Sequence, residues 1–237
     1  MSQELIDAHG AFAKVMPYVH LPVQSGSDRV LAAMKRGYTV GQYREMMGRI
    51  RARCPEATIS SDFIVGFCGE TDEDFQLTMD LVRECRFKNS FIFKYSERGG
   101  TKAAERYPDD VPEEVKKRRN NDLLAVQNEN SRLDHRAQVG KTVEVLVEGP
   151  SRMSGKQGHV AQLTGRSMAD HIVVFDGPER LIGHTVRVAV TDASPFTLYG
   201  AVVVGEGVGV DAATLDVHQP GGLPHPTRPS KFPLPLA

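Results

Sequence analysis

A chain of 237 residues with 40% apolar and 25% charged content has room for one large or two modest folded domains. A formal net charge of −1 excludes binding of nucleic acid by bulk electrostatics, so any RNA contact must come from a local basic patch. No apolar run reaches the length of a membrane helix, and MSQELIDAHG lacks the zones of a signal peptide, which makes the cytoplasm the expected location with no membrane partner.

Residues 2–14 read as a helix and MPYVHLPVQ as a short strand. Over 28–36, Val30, Leu31 and Met34 recur at helical spacing, and Gly37 suits the left-handed position beyond a helix end. Thr39 and Gln42 have the form of a capping box, opening a helix whose apolar stripe is Tyr43, Met46, Met47, Ile50 and Cys54 and which Pro55 ends. TISSDFIVGF is a nearly continuous apolar strand. Thr71 and Asp74 open the next helix, with Phe75, Met79, Val82 and Cys85 as its buried face, and NSFIFKYS forms a third strand. Strands alternating with helices of this length predict βαβ units and a parallel sheet, although three strands are too few to close a barrel.

Residues 109–139 read as a long, charged linker helix starting around Asp110, Pro112 and Glu113. Within it Lys116, Lys117, Arg118 and Arg119 point around most of the circumference, which predicts a mostly solvated run. From Gly140 the pattern changes to five short β segments separated by turn residues, which predicts a small antiparallel, OB-like β-barrel. After Gly205 the chain is Gly-rich and then Pro-rich, and a disordered tail is expected. The expected fold class is α/β plus all-β, divided at 1–108, 109–138, 139–204 and 205–237.

In parallel α/β folds, ligands bind at the C-terminal ends of the strands. There this chain carries Gln24, Ser25 and Gly26; then Gly66, Cys68, Gly69 and Glu70; then Ser96, Arg98, Gly99, Gly100 and Thr101. Glycines let backbone amides approach a ligand, Ser and Gln can bond a ribose, and Arg98 can grip a carboxylate or phosphate. Each also has a structural reading: turn residues for Gly26 and Gly69, a helix-dipole acid for Glu70, an ion pair for Arg98. Cys54, Cys68 and Cys85 have no paired spacing, which suits buried thiols better than disulfides, zinc or an iron–sulfur cluster, and the residues supply no catalytic or metal-ligating set. Between Gly149 and Ala169, Arg152, Lys156, His159 and Arg166 occur without an acid, so this stretch reads either as a phosphate-tracking loop or as a solvated one. Phe175 and Tyr199 are available for base stacking, although most aromatics in a small barrel are core.

The segments HLPVQSGSDRVLAAMKRGYT, SDFIVGFCGETDEDF and FKYSERGGTKAA, followed by the charged helix and LTGRSMADHIVVF, resemble successive parts of the radical-SAM tRNA methylthiotransferase family. HLPVQSGS and YSERGGT are closer to the branch that modifies isopentenyladenosine next to the anticodon than to the branch acting on a ribosomal protein, with the threonylcarbamoyladenosine relative left open. The resemblance implies the C-terminal half of a radical-SAM β/α barrel, then an RNA-binding TRAM barrel. It also implies S-adenosylmethionine and [4Fe–4S] clusters as cofactors, tRNA as partner, and a pocket for S-adenosylmethionine lined by Gln24, Ser25, Gly66, Gly69, Glu70, Ser96 and Arg98. Cysteine stands at position 68 where the family usually has proline, and the family's CxxxCxxC motif does not occur in this sequence. The expectation is therefore a portion of such an enzyme that is not catalytic alone. The alternatives are an RNA-binding module that has lost catalysis, or one half of a split enzyme whose partners are a separate cluster-bearing chain and a reductant protein.

Overall fold

The computed structural model describes residues 1–152 and 161–203, so Lys156, His159 and the expected tail lie outside the described residues. The first part alternates helix and strand: α1 (Gln3–Ala11), β1 (Tyr18–His20), α2 (Asp28–Ala33), α3 (Val40–Arg53), β2 (Thr58–Val65), α4 (Asp72–Cys85) and β3 (Asn89–Lys94). Both expected capping boxes form, Thr39 with Gln42 and Thr71 with Asp74, because each needs only residues three apart on one turn. Beyond α2 the left-handed residue is Lys35 (φ 61°) rather than Gly37. The Arg36 amide reaches the Leu31 carbonyl at 2.9 Å, and that closing bond sets the turn one residue beyond the cap, at Lys35.

β1, β2 and β3 form a parallel sheet in that order, so β2 is its centre. β1 is shorter than expected and is extended only by a single parallel bridge from Gln24 to Phe63. Alternate residues of β2 divide the sheet: Ile59, Ser61, Phe63 and Val65 are buried, and the first core gathers Val19, Val23, Leu31, Tyr43, Met47, Ile50, Phe63, Leu81, Val82 and Phe87. The opposite face presents Tyr18, His20, Asp62, Ile64, Phe91 and Phe93, with both phenylalanines about half exposed.

Two elements differ from expectation. A short helix, α5 (Lys102–Arg106), follows the third strand, and α6 (Glu113–Arg136) is no solvated linker. It packs on α4 and β3 and buries Lys116, Arg119, Leu123, Gln127, Ser131 and His135. The polar ones are satisfied: Gln127 donates to the Phe87 carbonyl (2.9 Å) and Ser131 to the Lys88 carbonyl (2.8 Å), which ties the helix to the start of β3.

After α6 come β4 (Thr142–Pro150), β5 (Gln162–Ser167), β6 (Ile172–Asp176), β7 (Thr185–Ser194) and β8 (Thr197–Val202), closed in the order β4-β5-β6-β8-β7. The barrel is mixed rather than antiparallel as expected, because β8 returns alongside β6 in the same direction. Val145, Val147, Leu163, Val173, Phe175, Val188, Val190 and Leu198 point inward, which assigns Phe175 to the core and leaves Tyr199 the more exposed aromatic. Gly165 and Gly200 occupy matching places where strands cross closely. A Cβ on Gly165 would collide with the Leu146 carbonyl oxygen, and one on Gly200 with that of Ala189. Gly165→Ala is expected to destabilise the protein by about 1–3 kcal/mol, an overpacking cost, read as a lower urea midpoint. An unchanged midpoint would mean that β4 and β5 can part without penalty. Among the described residues no helix is long and apolar enough to cross a membrane.

Candidate functional site

At the C-terminal ends of the parallel strands lies a cleft of about 590 Å³ lined by Gln24, Arg36, Asp62, Tyr95, Ser96, Arg98 and neighbouring apolar side chains. Its floor depends on one strained position. Gln24 has φ 78°, a conformation unusual for a residue with a side chain, and it is held there because its amide donates to the Asp62 carbonyl while its own carbonyl accepts from Ile64, both at 2.9 Å. The Tyr95 hydroxyl is buried beside the Cys68 thiol and has no close hydrogen-bond partner among the described residues. Burial, and then the adjacent Cys68 thiol, push its phenol up to about 12, so it remains a neutral donor. Arg36 and Arg98 are exposed and form no ion pair among the described residues, so two guanidinium groups stand ready for an anion.

Along the open sheet face a hydrogen-bonded row leads to this cleft. Tyr18 Oη and His20 Nδ1 each lie 2.8 Å from Ser60 Oγ, and His20 Nε2 lies 3.4 Å from the Asp62 carboxylate.

Of the seven residues that the sequence singles out for a cofactor, Gln24, Ser96 and Arg98 line the cleft. The other four are engaged beside it. Ser25 Oγ lies 3.4 Å from Thr78 Oγ1 and accepts from the Ser27 amide, while Gly26 sits so close to α4 that a Cβ would strike the backbone of Leu77 and Thr78. Gly66 (φ 71°) packs against the Lys116 side chain, which is itself buried and bonded to both Asp109 carboxylate oxygens at 2.6 Å. Gly69 (φ 71°) donates its amide to Asp110 (2.7 Å) and its carbonyl accepts from Arg29. Glu70 accepts from the Gly66 amide (3.1 Å) and pairs with buried Arg119 (3.0 Å); burial raises its carboxyl above the usual range, only partly offset by these donors. These four residues fix the two loops that follow β1 and β2 beside the cleft. Asp62, Tyr95 and Arg36 were not singled out. Asp62 could have been found from the period of two in SSDFIV, which places 60, 62 and 64 on one face.

The three cysteines do not converge. Cys54 caps α3, Cys85 ends α4, and Cys68 lies under the Tyr107 carbonyl (Sγ to O 3.8 Å); all three are buried and free. On the barrel, Arg152 is exposed, whereas Arg166 is held by Asp170 (2.6 Å) and Glu148 (3.3 Å).

Residues 3–82 match the family model of the radical SAM superfamily and residues 136–203 that of the TRAM domain. The chain is 55% identical over 205 residues to a tRNA-2-methylthio-N(6)-dimethylallyladenosine synthase of Rhodopirellula baltica, an alignment covering 85% of this chain and 43% of that protein. It is 48% identical over 202 residues to proteins of the same name from Bordetella pertussis and an Acidovorax species, again over 85% of this chain and 44% of each relative. The chain thus spans less than half the length of the curated relatives it matches. A radical-SAM match followed by a TRAM match, at these identities to relatives with one shared name, makes this chain similar over 85% of its length to one portion of those synthases.

Proposed function

We propose that this chain is the portion of a tRNA methylthiotransferase that holds S-adenosylmethionine at the ends of β1–β3 and meets tRNA with its barrel, the reaction being addition of a methylthio group to C2 of isopentenyladenosine next to the anticodon. The observation that carries the reading is the largely apolar cleft with a few polar groups at the strand ends, lying within a chain 55% identical to a synthase of that name. S-adenosylmethionine fits the residues present. The orphaned Tyr95 hydroxyl offers a donor, Arg36 and Arg98 offer unpaired charge for the carboxylate, Asp62 and Gln24 can accept from ammonium or ribose, and Ile64 and Phe93 provide an apolar wall. Ser96 completes the polar rim, while Ser25, Gly66, Gly69 and Glu70 act by fixing the loops. When bound, the cofactor supplies the methyl and adenosyl groups of the reaction.

An iron–sulfur cluster does not fit the three buried, separated thiols, since a cluster needs three or four converging thiolates. The reading is therefore half of a radical-SAM barrel that depends on cluster-bearing residues from outside these 237 positions, working in the cytoplasm with a reductant protein. Arg152 and Lys156 are its phosphate contacts. Arg166 joins them only by leaving its two acidic partners.

The test joins this chain to the upstream portion of the Rhodopirellula relative, in a host lacking its own methylthiotransferase, and quantifies modified nucleosides in hydrolysed tRNA by mass spectrometry. Methylthio-isopentenyladenosine is expected, and the isolated chain should give none. A folded fusion yielding only unmodified isopentenyladenosine would sink the proposal. Methylthio-threonylcarbamoyladenosine would transfer it to the sister substrate.

A further inference from the structure

A second cluster of chemistry-bearing side chains lies far along the chain from the cleft residues, where the end of α6 meets the barrel. Asp134 and His135 come from the last turn of α6, and His171 from the turn that opens β6. One donor atom from each lies within 4.8 Å of the other two. We propose that these three residues form a site for a zinc-class divalent cation, and nothing in the S-adenosylmethionine reading depends on it.

Two histidines and a carboxylate are borderline donors that suit zinc, cobalt(II) or nickel(II), whereas calcium and magnesium demand a shell of oxygens. Each imidazole is oriented through Nδ1: that of His135 lies 2.8 Å from the Ser131 carbonyl oxygen and that of His171 lies 3.4 Å from Ser167 Oγ. Tethering one ring nitrogen to a protein oxygen is how metal-binding histidines are held, which leaves the other for an ion, and His135 Nδ1 also lies 3.7 Å from the Asp134 carboxylate. His171 Nε2 already lies 2.7 Å from Asp134 Oδ2, and the two rings meet edge to face with centroids 5.0 Å apart.

A purely structural latch would need only the His171–Asp134 bond. It does not account for a second imidazole, that of His135, 5% exposed beside the first at 2%, with its Nδ1 2.8 Å from the Ser131 carbonyl oxygen and 3.7 Å from the Asp134 carboxylate. The ammonium of nearby Lys88 is committed to the carbonyl and carboxylate of Asp170. Three protein ligands leave a coordination position open. Asp134 and His171 also line a cavity of about 470 Å³ with Gln138, Glu144 and Ser167, which gives a water or an external ligand access.

The test uses the full chain, stripped of metal with its thiols reduced, and titrates it with cobalt(II) and then zinc. Saturation at one equivalent is expected, with visible ligand-field bands, no thiolate charge-transfer band, displacement by zinc and a higher unfolding temperature. His135→Ala and His171→Ala should each weaken binding by at least about tenfold, since losing a ligand costs no less than losing the group that orients one. His135→Ala keeps the His171–Asp134 bond, so it separates ligation from folding if His171→Ala does not fold. Failure to saturate at millimolar cobalt, binding unchanged in His135→Ala, or a thiolate band abolished by cysteine substitution would each overturn the site.

Discussion

Replacing Arg119 by methionine is expected to destabilise the protein by about 3–5 kcal/mol, the cost of stranding a buried charge. The Arg119 and Glu70 side chains are only 4% and 2% exposed, and the guanidinium spans the Glu70 carboxylate, the Glu70 carbonyl and Asp72 while lying over the Phe75 ring. Methionine preserves the stem's packing, so the loss reports charge and hydrogen bonding rather than a cavity. The double variant Arg119→Met with Glu70→Gln should recover most of the loss, because the desolvated carboxylate and not the missing attraction is the larger penalty. Since burial already raises the Glu70 carboxyl and the single variant removes a cation that lowers it, the folded variant binds a proton more tightly than its unfolded chain. Its deficit should therefore shrink as pH falls through the carboxylate range and grow as pH rises. Urea titrations of the three proteins across that range decide the matter. A single variant within 1 kcal/mol (about a fivefold change in the folding constant) of the parent at neutral pH would show that Glu70 finds water or another partner.

Why this pair was not legible in the sequence is instructive. Lys116–Arg119 is a run of four cations on a charged helix, and nothing local distinguishes the two that turn inward. Their partners, Asp109 and Glu70, are chosen by how α6 lies across the sheet, and Glu70 is 49 residues away. Features carried by neighbouring residues were legible: both capping boxes, the apolar stripe of α4 and the five barrel strands. The parallel pairing of β6 with β8 was not, because strand direction depends on a connection rather than on composition. The cleft divides in the same way. Gln24, Ser96 and Arg98 followed from their place after strands in a βαβ pattern, whereas Arg36 and Tyr95 reach the cleft only through the packing of α2 and the loop after β3. Ser25, Gly66 and Glu70 belong to the same loops, yet their polar groups and glycine freedom serve helix contacts that only the tertiary fold creates.

Asp74→Asn carries the second large effect, and its deficit also shrinks as pH falls, here because the parent loses stability rather than because the variant regains it. The Asp74 carboxylate accepts from Ser27 Oγ (2.6 Å), from the Thr71 amide (2.9 Å) and hydroxyl (3.0 Å), and from Arg29. One side chain thereby caps α4 and anchors the Ser27 cap of α2, joining the helix starts that follow two of the site loops. Burial pushes this carboxyl up, but the donors from Arg29, Ser27 and Thr71 outweigh burial and hold it well below the ordinary carboxylate range. A group depressed on folding contributes stability above its unfolded pKa, about 3.9 for aspartate, and that contribution is lost as pH falls below it. At neutral pH Asp74→Asn should cost about 3 kcal/mol, because hydrogen bonds to an ionised acceptor are each worth about 1.5–3 kcal/mol and the amide keeps only part of the set. Below about pH 4 the parent loses the same contribution and the two stability curves should converge. Thermal unfolding of both proteins from neutral to acid pH checks this. Parallel curves would mean that Asp74 acts through shape alone, and a variant as stable as the parent at neutral pH would remove it from the account of how the loops at the strand ends are held.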